Sequence, residues 1–85
     1  MENFMKSLDK LRVGERAYIV EISNNKLQEK LFEMGILPGD EVIMKVNSEK
    51  HNSVIVSVRG QTFNLFKPAA ETIITRALSF EFSLN

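Results

Sequence analysis

The sequence predicts a single, mostly β domain, built as a small closed or nearly closed barrel of about five to six strands with short helices between them. Three observations predict it. Short runs in which apolar and polar residues alternate recur along the chain, as they do in half-buried strands. Glycine and proline separate several of these runs, as turn residues do. A chain of 85 residues builds one hydrophobic core, so we expect residues 1–85 to form one domain.

The N-terminal part of the chain predicts a helical turn followed by a strand. Ser7 is placed to cap a short helical turn, and Gly14 would end that segment. This turn is expected to cover one end of the barrel. The run at residues 17–22 is rich in aromatic and β-branched residues and is bounded by turn residues, so it predicts the first strand.

Residues 25–34 predict a short amphipathic helix. Asn25 followed by Gln28 resembles a capping box, and Gly35 is a typical stop signal. The apolar stripe at helical spacing consists of Leu27, Leu31 and Met34. Because a helix of about three turns needs tertiary burial to form, we expect this stripe to face the core. Phe32 lies off the stripe and is free to contact something else.

A tight turn is predicted directly after the helix, at residues 37–40. Pro38 presets φ at the second position, and Gly39 accepts the positive φ that a type II turn requires at the third. Gly35, at the helix end, is expected to need a positive φ as well. Gly35 and Gly39 are therefore predicted to be structural turn residues, where a side chain lowers stability whatever the function.

The C-terminal half predicts further strands at residues 41–47, 54–58, 62–66 and 72–76. The expected buried face of the first of these carries Val42, Met44 and Val46. Gly60 supplies the turn of a hairpin between the second and the third. Pro68 is suited to the first turn of a helix before the last strand, and residues 48–53 contain no apolar side chain and predict a loop.

The last segment, residues 77–85, has the strictest alternation in the sequence. One face of it carries Leu78, Phe80, Phe82 and Leu84. An apolar strand of this kind needs cover, so we expect an extra C-terminal strand that closes the barrel or pairs with an edge of it. Pairing with a second copy is the alternative, and it makes Phe80 and Phe82 candidates for an oligomer edge.

The composition argues against several classes of function. The 11 Lys and Arg residues balance 11 Asp and Glu residues, so the chain lacks the basic excess typical of nucleic-acid binding. There is no cysteine, which excludes disulfides and thiolate metal sites and agrees with a reducing compartment such as the cytoplasm. No run is long and apolar enough to span a bilayer, so we expect no direct membrane insertion.

Residues suited to catalysis or metal binding are scarce. His51 is the only histidine and lies in the polar loop, without a visible base or nucleophile beside it. With Glu49 it would hold a metal ion only by borrowing ligands from another chain, so His51 is a weak metal candidate and a solvated residue is favoured. No phosphate-binding glycine loop is present. We therefore expect no enzymatic activity and no resident cofactor, and leave open transient binding of a divalent metal.

The stretch at residues 27–42 resembles the most recognisable motif of the FeoA family, small accessory proteins of bacterial ferrous iron transport. The motif positions are occupied here by Leu31, Gly35, Ile36, Pro38, Gly39 and Val42. Residues 11–15 and Ile19 are similar to the family's opening, and its closing pattern is matched by Gly60, Leu65, Ala70 and Ile73. The resemblance covers about residues 7–76, and residues 77–85 lie beyond the family's usual end.

The resemblance implies an SH3-like β-barrel and a cytoplasmic protein that acts on the membrane GTPase transporter FeoB, peripheral to the inner membrane through that partner. A similar barrel and motif occur at the C-terminus of iron-dependent repressors, which implies an alternative function as a metal-responsive regulatory domain. In that case His51 and carboxylates of neighbouring chains would share a metal ion. A nucleic-acid-binding barrel is a third hypothesis, which the zero net charge argues against.

The leading hypothesis is a non-catalytic interaction module that binds the cytosolic side of the transporter and modulates it. Its predicted contact surface is the exposed part of the helix and turn, namely Lys30, Phe32, Leu37 and Pro38, because apolar residues at a rigid turn make good anchors. The competing interpretation is that all of these except Lys30 pack against the barrel. The sequence leaves open whether the partner is activated or inhibited and whether the chain forms homo-oligomers.

Overall fold

A computed structural model describes residues 5–77 as one antiparallel sheet of six strands with two short helices. The strands are β1 (Met5–Ser7), β2 (Arg16–Ile22), β3 (Glu41–Ser48), β4 (Ser53–Val58), β5 (Gln61–Phe66) and β6 (Ile73–Ala77). The helices are α1 (Asn25–Glu33) and α2 (Lys67–Ala70), and a 3₁₀ turn spans Leu8–Lys10. The predicted C-terminal strand, with Phe80 and Phe82, lies outside the described residues.

The sheet is not closed into a barrel, so that part of the prediction is wrong. The strand order is β1-β6-β2-β3-β4-β5, and within residues 5–77 the two end strands β1 and β5 do not pair with each other. Closure requires end strands that pair along their length, and β1 has only three residues. Helix α2, which directly follows β5, contacts the 3₁₀ turn that follows β1.

The predicted strands are confirmed as β2 to β6, with ends that differ by about one residue. Strand β1 was not predicted, because three residues are too few to show an alternation. The predicted capping box is wrong: the N-cap of α1 is Asn24, whose side-chain oxygen accepts a hydrogen bond from the backbone N–H of Leu27 at 3.1 Å. Met34, placed in the apolar stripe, is 41% exposed because it is the C-cap of the helix.

A β-bulge in β3 reverses the faces of the strand halfway along. Met44 pairs with Val56, but Val46 pairs with Ile55, so Lys45 is an extra residue on the β3 side. Val42 and Met44 are buried as predicted. Val46 was expected on the same buried face, and this prediction is wrong: after the bulge its side chain is 43% exposed on the outer face.

The bulge also turns Asn47 towards the interior. Its side-chain amide donates hydrogen bonds to the carbonyl oxygens of Asp9 and Leu11, at 3.0 and 2.9 Å. Leu11 is fully buried, so its carbonyl oxygen needs a hydrogen-bond donor from within the protein, and the amide of Asn47 supplies one. Asn47 therefore joins the 3₁₀ turn and the residue that follows it to the sheet.

One hydrophobic core fills the concave side of the curled sheet. Its largest fully buried side chains are Leu8, Leu11, Met44, Ile73, Val42 and Val54. Thr75 is buried in β6, and its hydroxyl donates to the carbonyl oxygen of Lys6 at 2.8 Å, which satisfies the polar group and ties β6 to β1. Leu31 and Ile36 bring helix α1 and the turn after it into the same core.

Candidate functional site

Helix α1 ends in a Schellman motif that fixes the direction of the following chain. Gly35 has φ of +83°, and its N–H donates to the carbonyl oxygen of Phe32 at 2.9 Å. The N–H of Ile36 donates to the carbonyl oxygen of Leu31 at 2.8 Å. Ile36 and Leu31 are both buried, so the apolar contact typical of this motif is also present.

A tight turn follows at residues 37–40. The N–H of Asp40 donates to the carbonyl oxygen of Leu37 at 3.0 Å, and Gly39 has φ of +101°. With Pro38 at the second position, these are the features of a type II turn. A second bond closes the turn from the other side, because the N–H of Leu37 donates to Oδ2 of Asp40 at 2.8 Å.

Backbone hydrogen bonds hold the turn against β2. The N–H of Gly39 donates to the carbonyl oxygen of Ile19 at 2.7 Å, and the N–H of Ile19 donates to the carbonyl oxygen of Asp40 at 2.9 Å. The turn is thus fixed at both ends, by the Schellman motif and by this pairing. Side chains on it project from a rigid frame.

The helix and the turn together form a shallow groove of about 220 Å³, here called the helix–turn groove. It is lined by Gln28, Glu29, Phe32, Ile36, Leu37 and Pro38. Phe32 is 63% exposed and Leu37 is 43% exposed, which does not fit the interpretation that both pack into the core. Three of the four residues predicted for a contact surface therefore line one groove, while Lys30 is exposed on α1 outside it.

A second surface groove, which sequence reasoning missed, lies on the outer face of β3, β4 and β5. This sheet-edge groove has a volume of about 460 Å³ and is lined by Val46, Ser48, His51, Ser53, Ile55, Asn64 and Phe66. Phe66 is 71% exposed, the largest exposed fraction among the large hydrophobic side chains of residues 5–77. The alternation in β5 predicts that Phe66 lies on the face opposite to Leu65, so the exposure of Phe66 could have been found from the sequence. The exposure of Val46 could not, because it depends on the bulge.

The surroundings of His51 do not include a set of metal ligands. Its backbone N–H donates to the hydroxyl of Ser48 at 3.0 Å. Over the described range 5–77, no three His, Asp or Glu side chains lie close enough together to hold a metal ion. Glu49 instead lies 4.0 Å from the ammonium of Lys67, as a surface ion pair. In the same range, no helix is both long enough and apolar enough to cross a membrane.

The fold and the exposed groove define a small SH3-like domain with a surface groove beside its helix and turn. A family model described as "FeoA domain" matches residues 6–77. The chain therefore belongs to the FeoA family. A search of curated protein sequences finds no match.

Several solved structures share the fold. A crystal structure described as the iron uptake regulatory protein FeoA is 27% identical, with a TM-score of 0.74 over 87% of this chain and 97% of the other. An FeoA-like protein from Clostridium acetobutylicum is 20% identical, with a TM-score of 0.78 over 99% of this chain and 98% of the other. A manganese-dependent transcriptional repressor is 20% identical with a TM-score of 0.80, and the match covers 92% of this chain but only 44% of the repressor.

Proposed function

We propose that this chain is a non-catalytic, cytoplasmic accessory protein of ferrous iron uptake, which binds the membrane GTPase transporter FeoB and modulates its assembly or its GTP-coupled state. Membership of the FeoA family motivates the choice of partner. The observation that carries the proposal is the helix–turn groove, in which the side chains of Phe32 and Leu37 remain exposed on a rigid frame.

The rigid turn favours binding because its residues lose little further conformational entropy when a partner binds. The turn bearing Leu37 and Pro38 is closed by backbone bonds to β2 and by the Asp40 carboxylate. Burying the exposed part of an aromatic or leucine side chain contributes about 1 to 2 kcal/mol. Gln28 and Glu29 line the groove beside these apolar side chains, which gives the apolar centre and polar rim typical of protein interfaces.

The test is a titration of the full-length chain against the soluble GTPase portion of the transporter from the same organism. We expect Leu37→Asp and Phe32→Asp each to raise the dissociation constant by at least about tenfold. Val13→Asp is the matched control, because Val13 is 63% exposed, as Phe32 is, and does not line the groove. Each variant must first show a cooperative unfolding transition with a midpoint close to that of the wild type.

Two outcomes would contradict the proposal. If the wild-type chain bound neither the GTPase portion nor the full-length transporter, the partner would be wrong. If Val13→Asp weakened binding as much as Leu37→Asp, the loss would come from added negative charge and not from the groove.

The second candidate is a metal-responsive regulatory domain, and the fold shared with a manganese-dependent repressor favours it. In this function His51, which lines the sheet-edge groove, would bind a divalent ion together with carboxylates from another chain. Calorimetric titration with Fe²⁺ or Zn²⁺, compared between the wild type and His51→Ala, tests it. Heat of binding that is unchanged in His51→Ala would rule His51 out as a ligand.

A further inference from the structure

The outer edge of β5 has unused backbone hydrogen-bonding groups. The turn between β4 and β5 has two central residues, Arg59 and Gly60, with φ of +53° and +82°, as in a type I′ hairpin. In such a hairpin the flanking pair, Val58 and Gln61, is hydrogen-bonded, and bonded and non-bonded pairs then alternate. The backbone groups of every second residue of β5 therefore point away from β4, at Thr62, Asn64 and Phe66.

The same alternation is visible just beyond the strand. The N–H of Lys67 donates to the carbonyl oxygen of Asn52 at 2.9 Å, so position 67 faces β4, as positions 61, 63 and 65 do. Strand β5 is at the end of the sheet order, and within residues 5–77 no strand pairs with its outer edge. Thr62 and Asn64 therefore offer a free N–H and a free carbonyl oxygen each to another strand, and Phe66 offers its N–H, because the carbonyl oxygen of Phe66 accepts the first bond of helix α2.

Two features that usually block the addition of a strand, charged residues and proline, are absent from this edge. Residues 61–66 contain no charged residue and no proline. The side chains on their outer face are exposed and adjoin the sheet-edge groove, where Val46, Ile55 and Phe66 supply apolar surface. An added strand with apolar residues at alternate positions would gain both backbone bonds and apolar burial here.

The chain itself contains such a strand sequence in residues 78–84. Its alternate positions carry Leu78, Phe80, Phe82 and Leu84, and the positions between them carry only Ser79, Glu81 and Ser83. We propose that residues 78–84 of a second copy add to the free edge of β5, with the phenylalanines over the sheet-edge groove. Reciprocal exchange of the two segments gives a symmetric dimer with two such contacts.

Strand register argues for a second copy over the same copy. Ala77 pairs with Ala17, which pairs with Val42, and that residue pairs with Val58, which pairs with Gln61. The end of β6 is thus four strand spacings from β5, or about 19 Å along the sheet at ~4.8 Å per spacing. A segment of the same copy that followed the face of the sheet would use about six residues at ~3.3 Å each to cover this distance, which is nearly all of 78–84. A second copy can present the whole run.

Sedimentation equilibrium of the full-length chain over a wide concentration range tests the proposal. We expect a reversible monomer–dimer equilibrium, and a dimer dissociation constant raised at least about tenfold by Phe82→Asp and by Asn64→Lys. Asn64 is suited to the test because its side chain is exposed and its backbone groups do not bond to β4. Phe32→Asp, on α1 outside the sheet-edge groove, is the control and should leave the equilibrium unchanged.

Mixing the two interface variants identifies the source of the docked segment. Phe82→Asp keeps an intact edge, and Asn64→Lys keeps an intact segment, so an equimolar mixture should form dimers with one of the two contacts restored. A wild type that is monomeric at all concentrations would overturn the proposal, whether its segment docked on its own copy or not at all. A dimer that neither variant weakens would also overturn it, because its interface would lie elsewhere.

Discussion

The guanidinium of Arg59 lies 3.2 Å from Oδ1 of Asp40, so the hairpin between β4 and β5 is joined to the turn of the helix–turn groove. The other carboxylate oxygen of Asp40 accepts the N–H of Leu37 at 2.8 Å. The Asp40 side chain is 15% exposed and the Arg59 side chain 61% exposed. The carboxylate therefore serves two elements, the backbone of the turn and the guanidinium of Arg59.

The two partners are expected to contribute unequally to stability. Asp40→Ala removes both interactions and leaves the N–H of Leu37 without its acceptor, so we expect a loss of about 1 to 2 kcal/mol in the free energy of unfolding. Arg59→Gln removes only an exposed ion pair and should cost less than about 1 kcal/mol. Urea denaturation measures both. Equal losses would mean that the bond from Leu37 contributes nothing.

Gly39 tests whether the turn depends on its backbone conformation. Its φ is +101°, yet a Cβ added there would meet no atom within 4 Å. We expect Gly39→Val to lower the free energy of unfolding by about 1 kcal/mol or more through backbone strain alone. A synthetic chain with D-alanine at position 39 should keep the stability of the wild type, since a D residue adopts a positive φ without strain. Thermal unfolding compares the three, and equal destabilisation by both changes would point to a steric clash instead.

The structure and the sequence pattern assign the N-cap of α1 to different residues, and two substitutions distinguish them. Asn24→Ala removes the oxygen that accepts the N–H of Leu27, and it should cost about 1 kcal/mol. Asn25→Ala, at the residue that the capping-box pattern favours, changes a position inside the helix and should cost almost nothing. The unfolding midpoints in urea distinguish the two. A larger effect at Asn25 would contradict the cap.

The strands and the helix were predictable because each carries its own periodicity. The alternation of residues 54–58 and the turn at Gly60 identify the β4–β5 hairpin without reference to the rest of the chain. Closure of the sheet was not predictable in this way. It depends on whether the end strands meet, and β1 is too short to show a pattern or to pair along β5.

One of the two grooves was predictable from the sequence, and the other was not. The positions of Phe32, Leu37 and Pro38 follow from local helix and turn chemistry, and these three residues do line one groove. The sheet-edge groove was missed because a bulge at Lys45 shifts the pairing by one residue and turns Val46 outward. A bulge follows from packing between strands and is not visible in the alternation of one strand.

Asn47 shows what the bulge contributes to stability. Asn47→Leu would remove two donors from the carbonyl oxygens of Asp9 and Leu11, so we expect a loss of about 1 to 3 kcal/mol in the free energy of unfolding. Asn64→Leu, on the exposed outer face of β5, makes the same change without removing a bond to the backbone of another segment. Denaturation at low protein concentration should show a small effect for Asn64→Leu, and equal effects would contradict the role of Asn47.

Glu15 is expected to make stability depend on pH in the acid range. Partial burial of its carboxyl opposes ionisation, but the hydrogen bond from the backbone N–H of Arg12, at 2.8 Å, and the ammonium of Lys6, at 3.1 Å, outweigh it. Together they hold the pKa of Glu15 below its ordinary value.

A pKa lowered by folding means that the folded chain binds a proton at Glu15 less readily than the unfolded chain does. The resulting stabilisation is therefore fully present at neutral pH, and it is lost as the pH falls from the ordinary glutamate range, about pH 4, through the lowered pKa. Because the pair is partly exposed, we expect Glu15→Gln to cost less than about 1 kcal/mol at pH 7. Thermal midpoints of the two proteins should converge as the pH falls below the ordinary glutamate range and through the lowered pKa, and a difference that stays constant or grows in acid would contradict this account of Glu15.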